Sequence, residues 1–370
     1  MTRPTHAIID REALRNNLRV IRSALAPDVR IMAVVKANCY GHNAAICVPE
    51  LLAAGADLLA VATIEEAAHL RSLGIKGSIV VLAPALDGQY AEFAAHGVEA
   101  FVSNTRMAEQ LSRAATADGR RLPVHLFVDT GMGRNGTPTG DVPETLRRIA
   151  ALPGLEITGF ASHFATSDEP ENPCTLEQIA LFDGALRAAL DAGFRFRDIH
   201  LANSGGILNF PSSHYTVVRP GLSLYGHHPT APAQKQSGLM PVMRLRTVVA
   251  NITAIPRGRS ISYGRRYFTA SDCMIATLPI GYADGLMRTL TNRLDVLING
   301  RRFPVVGTIC MDEVMVDLGD GTGINVGDEA VLIGRSGDEI IEAWELAGNA
   351  GTIPYEICTN ISARVPRIGG

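Results

Sequence analysis

Between residues 30 and 221 short apolar runs alternate with longer stretches of helical period. The runs are IMAVV (31–35), LLAVA (58–62), SIVVLA (78–83), EAFVS (99–103), VHLFVD (124–129), ITGFASH (157–163), DIHLANS (198–204) and TVVRPG (216–221). Several lack the in-out alternation of a half-buried strand, so these runs read as strands covered on both faces. Between them, IEEAAHLRSLG, RMAEQLSRAATADG and TLEQIALFDGALRAALDAG carry apolar residues at spacings of three and four and end in Gly, a helix stop. Strands alternating with crossover helices form a parallel sheet, and eight strands is the number that closes a (β/α)8 TIM barrel. A doubly wound open sheet is the competing arrangement of the same elements.

After about residue 240 the rhythm changes. MRLRTVVANITAI, CMIATLPIGY, DVLINGRRFPVVG, EVMVDL and EAVLIG read as strands separated by turns, and Asn299-Gly300 between apolar runs signals a hairpin. Residues 339–349 and 355–363 read as helices, with Trp344 as a core anchor. The expected organisation is a barrel over residues 1–238 and a mostly β domain over 239–370, with PTAPAQKQSG (229–238) as the linker.

Composition narrows the class. The chain has 370 residues, 46% of them hydrophobic and 19% charged, which suits a soluble enzyme with a large core. Its net charge of −3 comes without a long basic run, so the footprint of a nucleic-acid binder is missing. The opening MTRPTHAIIDREAL has no apolar signal region, and nowhere do 18 apolar residues run together, so no membrane span is expected. Six scattered cysteines with no CxxC pair suggest reduced thiols and a cytoplasmic protein, not a disulfide scaffold or zinc site. No metal site is expected.

In a barrel of this kind, chemistry sits on the loops after the strands. Lys36 follows the first strand, Asp129 and Arg134 the fifth, and His163 ends the sixth. Asn203 and Ser204 end the seventh, and Arg219 and Gly221 the eighth. A lone strand-end lysine is more often a solvated rim charge, but its company here is unusual. A partly desolvated amine favours its neutral form and becomes a nucleophile toward carbonyls, as in pyridoxal phosphate chemistry. ANSGG (202–206) and RPGLSLYG (219–226) offer glycine-hinged amides after strands seven and eight, the recurrent phosphate site of these barrels. ANSGG by itself is equally a helix-capping turn. His227-His228 reads as a surface loop, and His125 as packed inside the barrel.

Taken together, AVVKANCYGHN, DTGMGRNG, HLANSGG, RPGLSLYG, SYGRRY, PIGYADGL, GTICMDEVMVD and IPYEI resemble the alanine racemases, fold-type III pyridoxal 5'-phosphate enzymes, from Ala7 to Pro366. The resemblance implies interconversion of L- and D-alanine by two bases, supplying D-alanine for peptidoglycan. Lys36 would be the cofactor-linked lysine and one base, and Tyr263 the other, reaching the partner's active site in a homodimer. Positive charge from His163 or Arg265 would have to help that tyrosine, whose ordinary pKa is near 10. Arg219, buttressed by His200, would face the pyridine nitrogen. Tyr40, Ser204, Gly221, Leu222 and Tyr355 would bind the phosphate, with His163 and Asn203 also against the cofactor. Arg134 and the Met311 amide would hold the substrate carboxylate, Asp312 in support, and Tyr282 would line the entry corridor.

Two positions depart from the family pattern. Many members carry a carbamylated lysine where this chain has Phe127, so Arg134 needs another partner. An arginine often found two residues before CMD is Thr308 here. A broad-specificity or serine racemase would keep every residue named above. A fold-type III decarboxylase would lack SYG with GYADG, and a non-enzymatic carrier would stop after the barrel.

Overall fold

All eight apolar runs form parallel strands. In the computed structural model, which describes residues 3–370, they are Arg30–Val34, Leu58–Val61, Ile79–Val81, Glu99–Val102, Leu122–Asp129, Leu155–Ala161, Asp198–His200 and Val217–Val218. Neighbours pair in chain order, with Met32 opposite Leu58, Leu59 opposite Ile79, Val80 opposite Glu99 and Phe101 opposite His125. The series continues with Leu126 opposite Phe160 and Ala161 opposite His200, and Val217 opposite Arg30 joins the last strand to the first. The remaining seam is closed by the Thr216 N–H on the Ile199 carbonyl at 3.1 Å and the Arg219 N–H on the Ala202 carbonyl at 2.8 Å. The sheet is therefore a closed barrel, and the open-sheet alternative is excluded.

Burial explains the unbroken apolar runs. Ile31, Met32, Leu59, Val80 and Val102 are all at 0% exposure, and each such side chain stabilises the fold by roughly 1.5–3 kcal/mol. Helices Ile64–Ser72, Thr105–Ala117 and Cys174–Asp191 occupy the three segments of helical period. The first opens with a reciprocal cap, in which Thr63 accepts from the Glu66 N–H and Glu66 accepts from the Thr63 N–H.

A second unit comprises residues up to Ala13, Tyr40–Ile46 and Met240–Gly370. Its main sheet has ten strands. Asn251–Ile255, Cys273–Leu278, Val314–Asp317, Arg301–Val306, Asp295–Ile298, Glu329–Ser336, Met243–Val248, His6–Ile9 and Arg367–Gly369 lie side by side in that order, and the tenth, Glu339–Ile341, pairs with Glu329–Ser336 off this row. The Asn299-Gly300 hairpin forms as predicted, with φ of 51° and 72° at its two centres and Ile298 opposite Arg301.

The structure corrects four expectations. Residues 6–9, counted with the barrel, pair antiparallel with Met243–Arg246, a partner too distant in sequence for local pattern to reveal. The segment 339–349 is a strand, Glu339–Ile341, followed by a helix, Ala343–Ala350, and Trp344 is only half-buried in it. His227 and His228 are buried, at 3% and 7% exposure, and do not form a surface loop. The Pro- and Gln-rich stretch beside them is no open linker, because Ala231–Gln236 turns back over the barrel loop. There the Gln234 amide accepts from the His228 N–H at 2.5 Å and donates to the Gly226 carbonyl at 2.9 Å. Residues 1 and 2 of the opening stretch lie outside the described residues.

Candidate active site

The first barrel strand ends on a turn of the wrong hand for L-residues. Ala37, Asn38, Cys39 and Tyr40 have φ of 51°, 53°, 58° and 52°, a conformation costing ~1–2 kcal/mol per residue. Such strain persists only where its surroundings hold it, and it gathers at functional sites. Here the Glu66 carboxylate accepts from the Ala37 N–H at 2.6 Å and from the Ala62 N–H at 2.7 Å, and the Cys39 N–H bonds Val35 at 2.9 Å. Lys36 stands at the head of this turn, half-buried. Burial and then the charge of Arg134 lower its amine pKa below the ordinary lysine range, Glu66 opposing them and Arg219 adding to them.

Arg219 is a buried guanidinium whose partners are all neutral. It donates to His200 Nδ1 at 2.8 Å, to the carbonyls of His200, Ser162 and Leu201 at 2.9, 2.6 and 3.2 Å, and meets His163 Nδ1 at 3.3 Å. Burial and Arg134 lower it to about 9, which leaves it charged at neutral pH. Burial, then Arg219, Arg134 and Lys36, push His163 down to about 3. His163 is therefore neutral and supplies no positive charge for a tyrosine base, contrary to the expectation above.

A row of bonds runs on from Arg219 through the barrel. His200 Nε2 meets His125 Nδ1 at 2.7 Å, His125 Nε2 meets Glu99 Oε2 at 2.9 Å, and Glu99 meets Arg197 at 3.1 Å. Because a guanidinium only donates, His200 Nδ1 must accept, so its Nε2 carries the proton. His125 then accepts at Nδ1 and donates from Nε2 to the carboxylate. Burial holds both histidines below their ordinary range. It also pushes Glu99 up, but the bond from His125 and the charge of Arg197 outweigh it and leave the carboxyl low. Gly159 makes room for this row, since a Cβ there would stand 2.2 Å from the His125 ring.

Loops seven and eight meet at one hydroxyl. Ser204 Oγ accepts from the Gly221 N–H at 3.0 Å, the Ser223 N–H at 3.2 Å and the Ser223 hydroxyl at 3.0 Å. Asn203 caps the short helix Ser204–Asn209 through the Gly206 N–H at 3.0 Å, and Leu222 is buried beside Gly221. A Cβ on Gly205 would lie 2.6 Å from the Ser167 carbonyl, so backbone and nothing bulkier fits there. Arg134 is exposed, and among the described residues it has no hydrogen-bond or ion-pair partner. Phe127 is buried and stacks on Phe101 at 5.0 Å and 24°.

The second unit carries the other candidates. Tyr40 and Tyr355 have ring centroids 5.7 Å apart. Tyr263 is 71% exposed and Met311 51%. Arg265 lies over the Phe268 ring at 5.4 Å and donates to Ser260 at 3.0 Å. Tyr282 donates its N–H to the Cys310 carbonyl at 3.0 Å, and exposed Asp312 pairs with Arg364 at 2.8 Å. Lys36, His163, Asn203, Ser204, Arg219 and Gly221 thus gather at the strand ends of the barrel, and Tyr263, Tyr282 and Met311 on loops of the second unit. Sequence reasoning missed Glu66 and Ser223. The capping-box spacing of Thr63 and Glu66 could have flagged the former; nothing local marks the latter.

The chain matches the family model "Alanine racemase, N-terminal domain" over residues 9–229 and "Alanine racemase, C-terminal domain" over residues 242–369. It is 44% identical to an alanine racemase of Symbiobacterium thermophilum, covering 100% of this chain and 97% of that one. Among solved structures it resembles an alanine racemase from D-cycloserine-producing Streptomyces lavendulae, at 38% identity and a TM-score of 0.95 over 100% of this chain and 98% of that one. It also resembles one from Bacillus anthracis with bound L-Ala-P, at 37% identity and a TM-score of 0.93, covering 100% and 96% of the two chains.

Proposed function

The chain belongs to the alanine racemase family, and from that premise we propose that it interconverts L- and D-alanine with pyridoxal 5'-phosphate, as a homodimer with shared sites. The observation that carries this reading is Lys36: a half-buried amine of lowered pKa, on a strained turn, in a barrel mouth that also holds a buried arginine.

The residues fit the cofactor on two counts. The Gly221 and Ser223 amides converge with the Ser204 hydroxyl in a cradle for phosphate, to which Tyr40, Leu222 and Tyr355 would add. Arg219 is held by neutral acceptors alone, so its charge is available to a ring nitrogen it can donate to but not protonate. When bound, pyridoxal phosphate supplies the electron sink that makes the α-proton of an amino acid removable.

Racemisation needs a proton taken from one face of the α-carbon and another delivered to the opposite face. Lys36 Nζ, its pKa lowered by burial and then by the charge of Arg134, serves one face. Tyr263 Oη serves the other, in the site of the partner subunit, and its 71% exposure suits a side chain that works beyond its own subunit. Arg134, without another anchor, and the Met311 amide would bind the substrate carboxylate, with Asp312 behind them and Tyr282 at the entrance. We place the enzyme in the cytoplasm, supplying D-alanine for peptidoglycan. Six cysteines without a disulfide accord with that compartment. Among the described residues no helix is long and apolar enough to cross a membrane.

The test is twofold. Lys36→Ala should abolish the absorbance of lysine-bound cofactor, and an unchanged spectrum would sink the assignment. Purified enzyme offered L-alanine, L-serine and L-lysine should racemise alanine by far the fastest; a better turnover of serine or lysine would trace to the pocket changes at Phe127 and Thr308.

A further inference from the structure

Tyr263 presents an exposed ring on a backbone that is anything but loose. Ser262, just before it, has φ 64° and ψ −177°, a region almost confined to glycine, whose occupation by serine must be enforced. The enforcement comes from the segment 307–310. Ser262 Oγ donates to the Thr308 carbonyl at 2.5 Å, and the Thr308 hydroxyl donates back to the Tyr263 carbonyl at 2.7 Å. Thr308 is 1% exposed, so the pair is shielded from water on the Thr308 side. Gly307 packs so closely that a Cβ there would lie 2.8 Å from the Ile261 carbonyl and 2.9 Å from the Ser262 Cβ.

The same segment continues to Met311. The Cys310 carbonyl accepts from the Tyr282 N–H and the Met311 carbonyl from the Ala283 N–H, both at 3.0 Å. Tyr263, Tyr282 and Met311 are thus mounted on one hydrogen-bonded rail, and Thr308 is its link to the tyrosine.

We propose that Thr308 is a positioning residue for Tyr263: its hydroxyl fixes the backbone that aims the tyrosine ring, and so sets the proton transfer on that face. The inference rests on the reading of Tyr263 as a base. Thr308→Val keeps the shape but removes the donor, and leaves the Tyr263 carbonyl without its bond. A shift of order 1 Å in a catalytic group is worth up to about a hundredfold in rate.

The experiment compares Thr308→Val, Thr308→Ser and Tyr263→Phe in the holoenzyme. Because the two enantiomers are equal in energy, kcat/KM must fall equally in both directions, so the discriminating readout is the isotope effect with α-deuterated L- and D-alanine. Tyr263→Phe first identifies which enantiomer gives its proton to the tyrosine, as the one whose exchange with solvent is lost. Thr308→Val should then lower kcat about tenfold or more and raise the isotope effect for that enantiomer only. Thr308→Ser should recover to within about threefold of wild type. If Thr308→Val loses fold stability, Ser262→Ala removes the reverse bond and should show the same one-sided effect.

A Thr308→Val enzyme with unchanged kcat and isotope effects would overturn the proposal, as would a Thr308→Ser variant no better than valine. If instead Tyr263→Phe retains exchange from both enantiomers, the tyrosine is not a base and the proposal falls with that reading.

Discussion

His227 offers a clean measurement of what burial does to a titratable group. It is 3% exposed, and burial pushes its pKa to about 4, from an ordinary value of 6.5. The folded state therefore disfavours the proton that the unfolded chain accepts. The contribution to stability is whole above pH 6.5 and is lost as pH falls from there towards 4. At pH 5.5 the unfolded histidine is about nine-tenths protonated and the folded one almost not at all, which costs about 1.4 kcal/mol, rising to ~3.4 kcal/mol below pH 4. His227→Gln removes this titration whatever it does to packing. Urea unfolding at pH 7.5 and 5.5 should show wild type losing about 1.4 kcal/mol more than the variant across that interval. Equal losses would refute the argument, for the other buried histidines are common to both chains.

Three further outcomes follow from packing and chemistry. Gly41→Ala would set a Cβ 2.2 Å from the Cys358 carbonyl at a φ of +82°, and should destabilise the protein by about 2–4 kcal/mol; a melting temperature within a degree of wild type would contradict the geometry. Phe127→Lys breaks the stack on Phe101 and buries an amine, with an expected loss of about 3–5 kcal/mol in urea unfolding. Bicarbonate should recover part of it if a carbamate there engages Arg134. Arg219→Leu strips His200 and three carbonyls of their donor, and should lower cofactor affinity at least tenfold in equilibrium dialysis; unaltered affinity would remove Arg219 from the cofactor site.

The barrel was legible because its signal is local and repeated. Runs such as IMAVV and LLAVA are buried on both faces, so their composition alone announces the strands, and the Asn299-Gly300 turn announces its hairpin. The chemistry was legible in position, since Lys36 and Arg219 stand where strands end. What escaped was whatever depends on a distant partner. The strand His6–Ile9 finds its neighbours in Met243–Arg246 and Arg367–Gly369, and even the separation of 19 residues between Ser204 and Ser223 is enough to hide that pair. Two adjacent histidines beside a Pro-rich stretch look like surface, yet both are buried, and Gln234 of that stretch turns back to bond the His228 N–H and the Gly226 carbonyl. His163 failed differently: the sequence places it beside the site but says nothing of the burial, nor of the three cations added to it, that keep it neutral.

The hydrogen-bonded row below Arg219 bears on any attempt to move this site elsewhere. A barrel interior is ordinarily layered with branched aliphatic side chains; this one gives that space to His200, His125 and Glu99, and reaches solvent at Arg197 where the strands begin. Grafting Lys36 and Arg219 onto a well-packed aliphatic barrel would strand the guanidinium above a floor that cannot orient it. The transplantable unit is a column as deep as the barrel itself, and a redesign for tighter apolar packing at its bottom would be felt at its mouth.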